Sequence, residues 1–297
     1  MADSIVKSVY RLGYKLSGRR EIFSAHFPSI SRAFNSFYRK SVAKDTSFFD
    51  VGEFKMCISD ESAYEYTLKE YEPDVVRHFV SAIKPGDIVI DVGANIGYFS
   101  LVAARCVGEK GRVYAFEPDP TNFSMLARNV NANGFTNVVT IRKAVCAATG
   151  TAQLLQKKAS THSLFDHPLA PTKRSVQVGT VALDDFLSTL SHEAQQRVTL
   201  VKIDAEGAEP LILEGLTSFI RRKSALTIIC ELIPGFYTRD HPSRYVSAPA
   251  DLVGLLRTLG FSVNIITGKT VLPWQDAVLD RFAQYSVIDL LCVKPSV

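Results

Sequence analysis

The stretch at residues 88–100, IVIDVGANIGYFS, decides the fold. It begins with three apolar residues, as expected of a strand that is buried on both faces. Asp91 ends this run, and the small residues of 93–97 predict a tight turn. Apolar residues then recur at helical spacing over 98–106. A strand, a glycine turn and a helix in this order are typical of the opening unit of a nucleotide-binding α/β sheet.

The spacing of the glycines narrows the class of ligand. A dinucleotide fingerprint reads G-x-G-x-x-G, whereas Gly93 and Gly97 are four positions apart and Asn95 takes the middle position. Glu117 follows the next predicted strand, and a carboxylate there can accept hydrogen bonds from both hydroxyls of a ribose. The pattern indicates a ribose-bearing cofactor that has no pyrophosphate, and it argues against an NAD(P) enzyme.

Strand and helix patterns alternate along the rest of the chain. About seven strands that alternate with helices predict an α/β fold with a doubly wound, mostly parallel sheet of seven strands and an appended last hairpin. Strand patterns span 88–92, 112–116, 138–143, 152–155, 176–181, 199–203, 226–230, 262–266 and 286–293, and 48–58 predicts a further strand or hairpin. Helical patterns span 65–82, 97–107, 120–133, 183–190, 209–219 and 251–259.

The first part of the chain differs in charge from the rest. Residues 1–45 contain nine Lys and Arg residues against three acidic ones, and their apolar residues suggest two short amphipathic helices. We therefore predict a basic helical extension over residues 1–60 and an α/β domain over 61–297. A packed pair of helices is the favoured interpretation, and an arm that binds a membrane surface or an acidic partner is the alternative.

Composition places the chain among globular proteins of a reducing compartment. Of its 297 residues 46% are hydrophobic, and the net charge of +4 is too balanced to indicate a nucleic-acid partner. The five scattered cysteines form no CxxC pair, and three of them, Cys106, Cys230 and Cys292, occur in apolar runs typical of buried reduced thiols, which suits a cytoplasmic location. No apolar run approaches the ~18 residues of a membrane span, and the N-terminus has no secretory signal pattern. A homo-oligomer is compatible with the sequence.

Two groups of motifs resemble a known family. The run DVGANIG at 91–97, followed by Glu117 and Pro118, resembles the cofactor site of class I, Rossmann-like S-adenosylmethionine-dependent methyltransferases. The run VKIDAEGAE at 201–209 resembles the FkbM family within that class, together with YEP at 71–73, TVALDD at 180–185 and Glu231. This resemblance implies S-adenosylmethionine as cofactor and methylation of hydroxyl groups on sugars, polyketides and related small metabolites.

The resemblance also assigns cofactor-binding roles to individual residues. It implies that the glycine turn holds the methionine half of the cofactor, that Glu117 binds the ribose and that the residues after the third strand flank the adenine. Glu72 is a candidate for the cofactor ammonium, and a surface carboxylate at a helix start is the equal alternative. The implied cofactor residues are Glu72, Asp91, Gly93, Asn95, Gly97, Glu117, Lys143 and Ala144.

Catalytic candidates must lie near the carboxyl ends of the strands, where such sheets bind ligands. Asp204 and Glu231 follow neighbouring predicted strands, so they are candidates to bind a substrate hydroxyl, to act as general base or to hold a divalent cation such as Mg²⁺. His162, in a polar loop predicted to cover this edge, and His241 are candidate bases because histidine titrates near neutral pH. Their alternative is a solvated loop side chain. No spacing supports a zinc site.

The residues leave other functions open. The basic N-terminal segment is the only support for a methyltransferase that acts on RNA or protein, since no aromatic-interleaved basic strip is present. A binding module without turnover would carry the same cofactor residues. The favoured hypothesis is an O-methyltransferase with a small hydroxylated substrate and no nucleic-acid partner.

Overall fold

A computed structural model describes residues 48–58, 71–156, 163–164, 174–237, 242–243, 246–281 and 287–295. The predicted basic helices of 1–45 and the candidates His162 and His241 lie outside these residues. The chain divides into two units, Met1–Tyr71 and Glu72–Val297. In the first unit, β1 (Phe49–Val51) and β2 (Phe54–Met56) form the hairpin that the 48–58 pattern allows, with Gly52 at φ 59° in its turn.

The second unit contains the remaining strands of the described residues. They are β3 (Ile88–Val92), β4 (Arg112–Phe116), β5 (Val138–Ile141), β6 (Ala144–Val145), β7 (Gly150–Leu155), β8 (Ser175–Val181), β9 (Val198–Ile203), β10 (Leu226–Leu232), β11 (Ser262–Thr267), β12 (Thr270–Pro273) and β13 (Ile288–Lys294).

Eight of these strands form the central sheet, in the order β12-β11-β13-β10-β9-β3-β4-β5. In this sheet β5, β4, β3, β9 and β10 are parallel to one another. β13 lies between β10 and β11 and is antiparallel to both. The predicted α/β class with a mostly parallel sheet is confirmed, but the sheet has eight strands rather than seven. The additional strand is β12, which pairs with β11 at the sheet edge and whose mostly exposed residues give little periodic signal.

A second sheet has the order β6-β8-β7. The strands predicted at 152–155 and 176–181 belong to it and pair antiparallel with each other, so they are not members of the central sheet. The parallel pair of β6 and β8 connects this small sheet to the segment that follows β5.

The helices of the described residues are α1 (Pro73–Ser81), α2 (Tyr98–Val107), α3 (Pro120–Ala132), α4 (Leu183–Ser188), α5 (His192–Gln196), α6 (Glu209–Glu214), α7 (Thr217–Arg222) and α8 (Pro249–Thr258). No described helix has the length and apolar content needed to cross a membrane.

The prediction of one continuous helix at 209–219 is wrong, because two helices, α6 and α7, cover this segment. The break lies at Gly215, where an added Cβ would lie 2.3 Å from the carbonyl oxygen of Cys146. The Asp184 carboxylate accepts hydrogen bonds from the backbone N–H groups of Ser218 and Phe219 at 2.9 and 2.7 Å. These bonds satisfy donors at the start of α7, so α6 and α7 form as separate helices.

The core lies against the central strands. Ile90, Val201 and Ile228 occupy matching positions on β3, β9 and β10 and are fully buried. All five residues of β3 are buried, which fits a strand covered on both faces. The parallel strands therefore end together at one rigid edge.

Removal of a core side chain from β9 is expected to be costly. Leu200 is fully buried, so Leu200→Ala should lower the free energy of unfolding by about 2–5 kcal/mol. Leu272 on the edge strand β12 is 54% exposed, and Leu272→Ala should change it by less than about 0.5 kcal/mol. Urea unfolding of both variants tests this, and equal losses would contradict the assignment of β9 to the sheet centre.

Candidate active site

A cleft opens at the carboxyl ends of β3, β4 and β9. Its walls are the turn after β3, the segment 116–118, the segment 143–145 and the turn at 204–208, and Leu154 and Leu164 lie along one side. The cleft encloses about 620 Å³, part of which is open solvent.

Glu117 lies in this cleft at the end of β4 and is almost fully buried. Its Oε2 accepts a hydrogen bond from the Asn95 N–H at 2.9 Å, and its Oε1 accepts one from the Asp119 N–H at 2.8 Å. Burial raises the pKa of Glu117 to about 8, although both N–H groups act in the opposite direction. Each oxygen keeps a second lone pair, so the carboxyl group is fixed in place and able to accept further bonds.

The turn after β3 is shaped by close contacts within the protein. Gly93 has φ 77°, and an added Cβ would lie 1.8 Å from the backbone oxygen of Asp204. Gly97 has φ 98°, and an added Cβ would lie 2.6 Å from Leu126 Cδ1. Both glycines are therefore required by packing and backbone conformation, whatever ligand the turn holds. Asn95 also has a positive φ, 51°, which its N–H bond to Glu117 helps to fix.

Asp91 supports the turn from below. It is fully buried on β3, and its Oδ2 accepts a hydrogen bond from Ser100 Oγ at 2.5 Å. Its Oδ1 finds no hydrogen-bond partner among the described residues. Burial raises the pKa of Asp91, while Lys202, its register partner on β9, acts to lower it.

Asp204 also lines the cleft and lies directly after β9. Its side chain is 26% exposed, and its Oδ2 lies 2.7 Å from Lys202 Nζ. The Lys202 ammonium lies 4.3 Å from the centre of the Phe99 ring on α2. Burial alone would lower the pKa of Lys202, but the carboxylates of Asp204, Glu72 and Asp91 raise it above its usual value.

Two further carboxylates lie beside Asp204. The register of β9 and β10 pairs Ile203 with Cys230, so Glu231 is the neighbour of Asp204. The register of β10 and β13 places Asp289 opposite Glu231. Burial, followed by Asp204 and other acidic neighbours, raises the pKa of Glu231 well above its usual value, and burial with Glu72 and Asp204 raises that of Asp289 to about 7.

Asp289 was missed by sequence reasoning. The sequence shows Asp289 only as an acidic residue within the apolar run of the last strand. This pattern does not indicate which strand lies beside it. Glu206, which the sequence analysis did not select, also lines the cleft and has φ 52°. Ser163 Oγ donates a hydrogen bond to the Glu206 carbonyl oxygen at 2.9 Å.

The buried Glu209 orders the turn that carries Glu206. Its Oε1 accepts hydrogen bonds from the N–H groups of Ala205 and Gly207 at 3.0 and 3.2 Å. Its Oε2 accepts one from the Tyr237 hydroxyl at 2.8 Å. Glu209 therefore joins the turn after β9 to the segment after β10.

The structure brings six of the ten described candidate residues together in the cleft. Those that line the cleft are Gly93, Asn95, Glu117, Lys143, Ala144 and Asp204. Those among the described residues that do not line it are Glu72, Asp91, Gly97 and Glu231. Glu72 precedes α1 with φ 44° and acts electrostatically on Lys202 and Asp289.

A metal site stays a prediction. Within the part of the chain that the structure describes, no group of three or more His, Cys, Asp or Glu residues is arranged to hold a metal ion. A divalent cation on Asp204 and Glu231 would need water for most of its ligands.

The contact between the two turns can be tested with paired glycine variants. Gly134 has φ 69° and no heavy atom within 4 Å of an added Cβ, so Gly134→Ala should lose only the conformational term of about 1–2 kcal/mol in unfolding free energy. Gly93→Ala has the same conformational cost and also a steric clash with the backbone oxygen of Asp204. We therefore expect its unfolding free energy to fall by about 1–3 kcal/mol more than that of Gly134→Ala. Chemical denaturation measures both, and equal losses would show that the turns do not touch.

The raised pKa of Glu117 predicts a pH dependence of stability. Between its ordinary value of 4.5 and its folded value of about 8, the folded protein holds more protons than the unfolded chain. Stability conferred by the protonated group therefore falls as pH rises through this window, by at most about 1.4 kcal/mol per pH unit. Glu117→Gln removes this contribution.

Urea unfolding of both proteins at several pH values from 5 to 8 tests the sign. The unfolding free energy of the wild type minus that of Glu117→Gln should decrease across the series. A constant difference would mean that Glu117 titrates alike in the folded and unfolded states.

Known proteins resemble this chain in sequence. Residues 91–263, more than half of the chain, match the methyltransferase FkbM domain. The hexuronic acid methyltransferase AglP of Haloferax volcanii is 27% identical, over 57% of this chain and 65% of its own length. The 31-O-demethyl-FK506 methyltransferase FkbM of Streptomyces tacrolimicus is 42% identical, over 48% of this chain and 63% of its own length. The chain thus spans less than two thirds of the length of these relatives.

Solved structures that resemble the chain include an S-adenosylmethionine-dependent O-methyltransferase from Thermotoga maritima. It is 14% identical with a TM-score of 0.45, and the alignment covers 88% of this chain and 81% of that one. On the strength of the sequence match over 91–263, the chain belongs to the FkbM family of methyltransferases.

Proposed function

We propose that this protein is an O-methyltransferase that transfers a methyl group from S-adenosylmethionine to a hydroxyl group of a small metabolite such as a sugar or a polyketide. The observation that carries the proposal is that Glu117 and Asp204, at the ends of β4 and β9, line the same cleft. One carboxyl group suits a ribose and the other suits an acceptor hydroxyl. The printed names of two relatives refer to a hexuronic acid and to 31-O-demethyl-FK506, which supports a small hydroxylated acceptor.

The described residues fit the cofactor. Glu117 is held by two backbone N–H groups and keeps lone pairs for ribose hydroxyls. Lys143 and Ala144 follow β5 and line the cleft, in position to flank an adenine ring. When bound, S-adenosylmethionine supplies a methyl group activated by a sulfonium.

The charge of the cleft suits a cationic cofactor. Among its described lining residues, Asp204 and Glu206 are acidic, Lys143 is basic, and Glu117 becomes ionised above its raised pKa of about 8. Acidic groups that line a cleft raise the local concentration of cations. A sulfonium is such a cation.

The protein's own contribution to the chemistry is alignment and proton removal. Alignment of two reactants supplies about 7–11 kcal/mol of a barrier, and a general base supplies about 3–5 kcal/mol. Two strand-end carboxyl groups line the cleft, and Glu117 is the one proposed for the ribose. We therefore propose that Asp204 holds the acceptor hydroxyl and takes up its proton. Glu231 lies beside Asp204 but does not line the cleft.

Cofactor binding is the first test. We expect S-adenosylmethionine and its demethylated product to bind with micromolar affinity in calorimetry. At a pH above about 8, where Glu117 is ionised, Glu117→Ala should weaken binding by about 10- to 150-fold, the loss of charge-assisted bonds worth about 1.5–3 kcal/mol. Glu109→Ala, at an exposed position in the turn before β4, is the matched control and should bind as the wild type does. A folded wild type that binds neither molecule would refute the proposal.

The acceptor class is the second test. Transfer of a radiolabelled methyl group should occur to a hydroxylated sugar, polyketide or lipid, with or without Mg²⁺, and Asp204→Asn should lower kcat by about 10²–10⁴-fold. Transfer to RNA or protein and to none of the small molecules would replace this function with the alternative one.

A further inference from the structure

The ammonium of Lys202 is buried inside the sheet, next to the cleft. Its residue is 3% exposed and lies within the apolar strand β9. A buried charge is unfavourable unless it is paired and hydrogen-bonded. Lys202 therefore needs partners that repay its loss of water.

Carboxylates from four elements act on this ammonium or on the group that it contacts. Asp204 contacts it at 2.7 Å from the end of β9, and Asp91 on β3 is its register partner. Glu72 acts from the start of α1. Asp289 on β13 acts on the same site through its interactions with Lys202 and Asp204.

The aromatic ring of Phe99 also contacts the Lys202 ammonium. The Lys202 ammonium lies 4.3 Å from the centre of the Phe99 ring, a distance at which a cation is attracted to the ring face. Phe99 is held in turn by edge contacts with Phe79 at 5.1 Å and Tyr98 at 5.6 Å between ring centres. The lysine is thus confined between a fixed ring and Asp204.

Asp204 is more exposed to solvent than Lys202, the residue with which it forms the ion pair. Its N–H donates a hydrogen bond to the Val92 carbonyl oxygen at 3.1 Å, which continues the pairing of β9 with β3. The side chains of Lys202 and Asp204, two residues apart on this extended segment, point to the same face. Lys202 is enclosed, whereas Asp204 reaches the cleft and is partly exposed.

We propose that Lys202 is a positioning residue for the methyl-transfer site, which holds one oxygen of Asp204 so that the carboxylate presents its other oxygen to the acceptor hydroxyl in a fixed orientation. This proposal rests on the function proposed above. Lys202 has no contact with the acceptor in this role, and it acts only through Asp204.

A second buried lysine provides a matched control. Lys223 is also buried beside a phenylalanine, with its Nζ 5.8 Å from the centre of the Phe219 ring. Its Nζ donates hydrogen bonds to the carbonyl oxygens of Gln195 and Gln196, before the start of β9. Lys223 therefore lies at the opposite end of β9 from the cleft. It forms no ion pair with a described residue, although Asp87 acts on it electrostatically.

The first experiment compares Lys202→Met with Lys223→Met in the full chain. Both variants should lower the midpoint of thermal unfolding. Lys202→Met should lower kcat by about 10- to 100-fold, as expected for a misplaced reacting group, with an unchanged calorimetric Kd for S-adenosylmethionine. Lys223→Met should keep kcat.

A double-mutant cycle separates positioning from a general effect on the fold. If Lys202 acts only through Asp204, Lys202→Met in the Asp204→Asn background should leave kcat as it is in Asp204→Asn alone. The double variant carries neither charge of the pair, so it provides the decisive comparison even where Lys202→Met does not fold. Wild-type kcat in Lys202→Met, or multiplied losses in the double variant, would overturn the proposal.

An observation that needs no acceptor tests the pair itself. In protein with ¹⁵N-labelled lysine, the Lys202 ammonium should exchange its protons slowly and give a visible signal that Asp204→Asn removes. Fast exchange in the wild type would overturn the proposal. If the wild type binds no S-adenosylmethionine, the proposed function fails instead, whatever this signal shows.

Discussion

The contact between the turn after β3 and the turn after β9 is the constraint on which the site depends. The Gly93 backbone lies against the carbonyl group of Asp204 with no room for a side chain. This contact places the loop that carries Asn95 and the loop that carries Asp204 on the same side of the cleft. Glu117 is then joined to the first loop by the Asn95 N–H. The cleft therefore has its shape before any ligand enters.

Charge is concentrated on one face of the sheet at this edge. Asp91, Asp204, Glu231 and Asp289 come from adjacent strands and lie near one cation, Lys202. Such a surplus of carboxyl groups raises the pKa of its buried members, and it destabilises the folded state when they are ionised. Arrangements of this kind are common at functional sites, where stability is lost for the sake of chemistry.

Local motifs made much of this site predictable from the sequence. Strand, turn and strand-end acid occur within the short segment from Ile88 to Glu117, so this part of the cleft could be placed without knowledge of distant pairing. Asp289 could not be placed, because its position opposite Glu231 depends on the insertion of β13 between β10 and β11. The break at Gly215 likewise depends on a distant contact, with Cys146.

Lys202 illustrates a different limit. Its residue type and motif are plain in the sequence, but its burial depends on Phe99 and on the order of the strands. The family match over 91–263 confirms the resemblance that the motifs indicated. This match begins at residue 91, so it does not test the boundary proposed near residue 60, which remains a prediction.

The hydrogen bonds of Glu209 have a consequence for protein engineering. One carboxylate joins the turn at 204–208 to Tyr237, in the segment that leaves β10. A graft intended to change the choice of acceptor would disturb that support if it replaced this tyrosine. Grafts that begin after Tyr237 would keep this hydrogen bond.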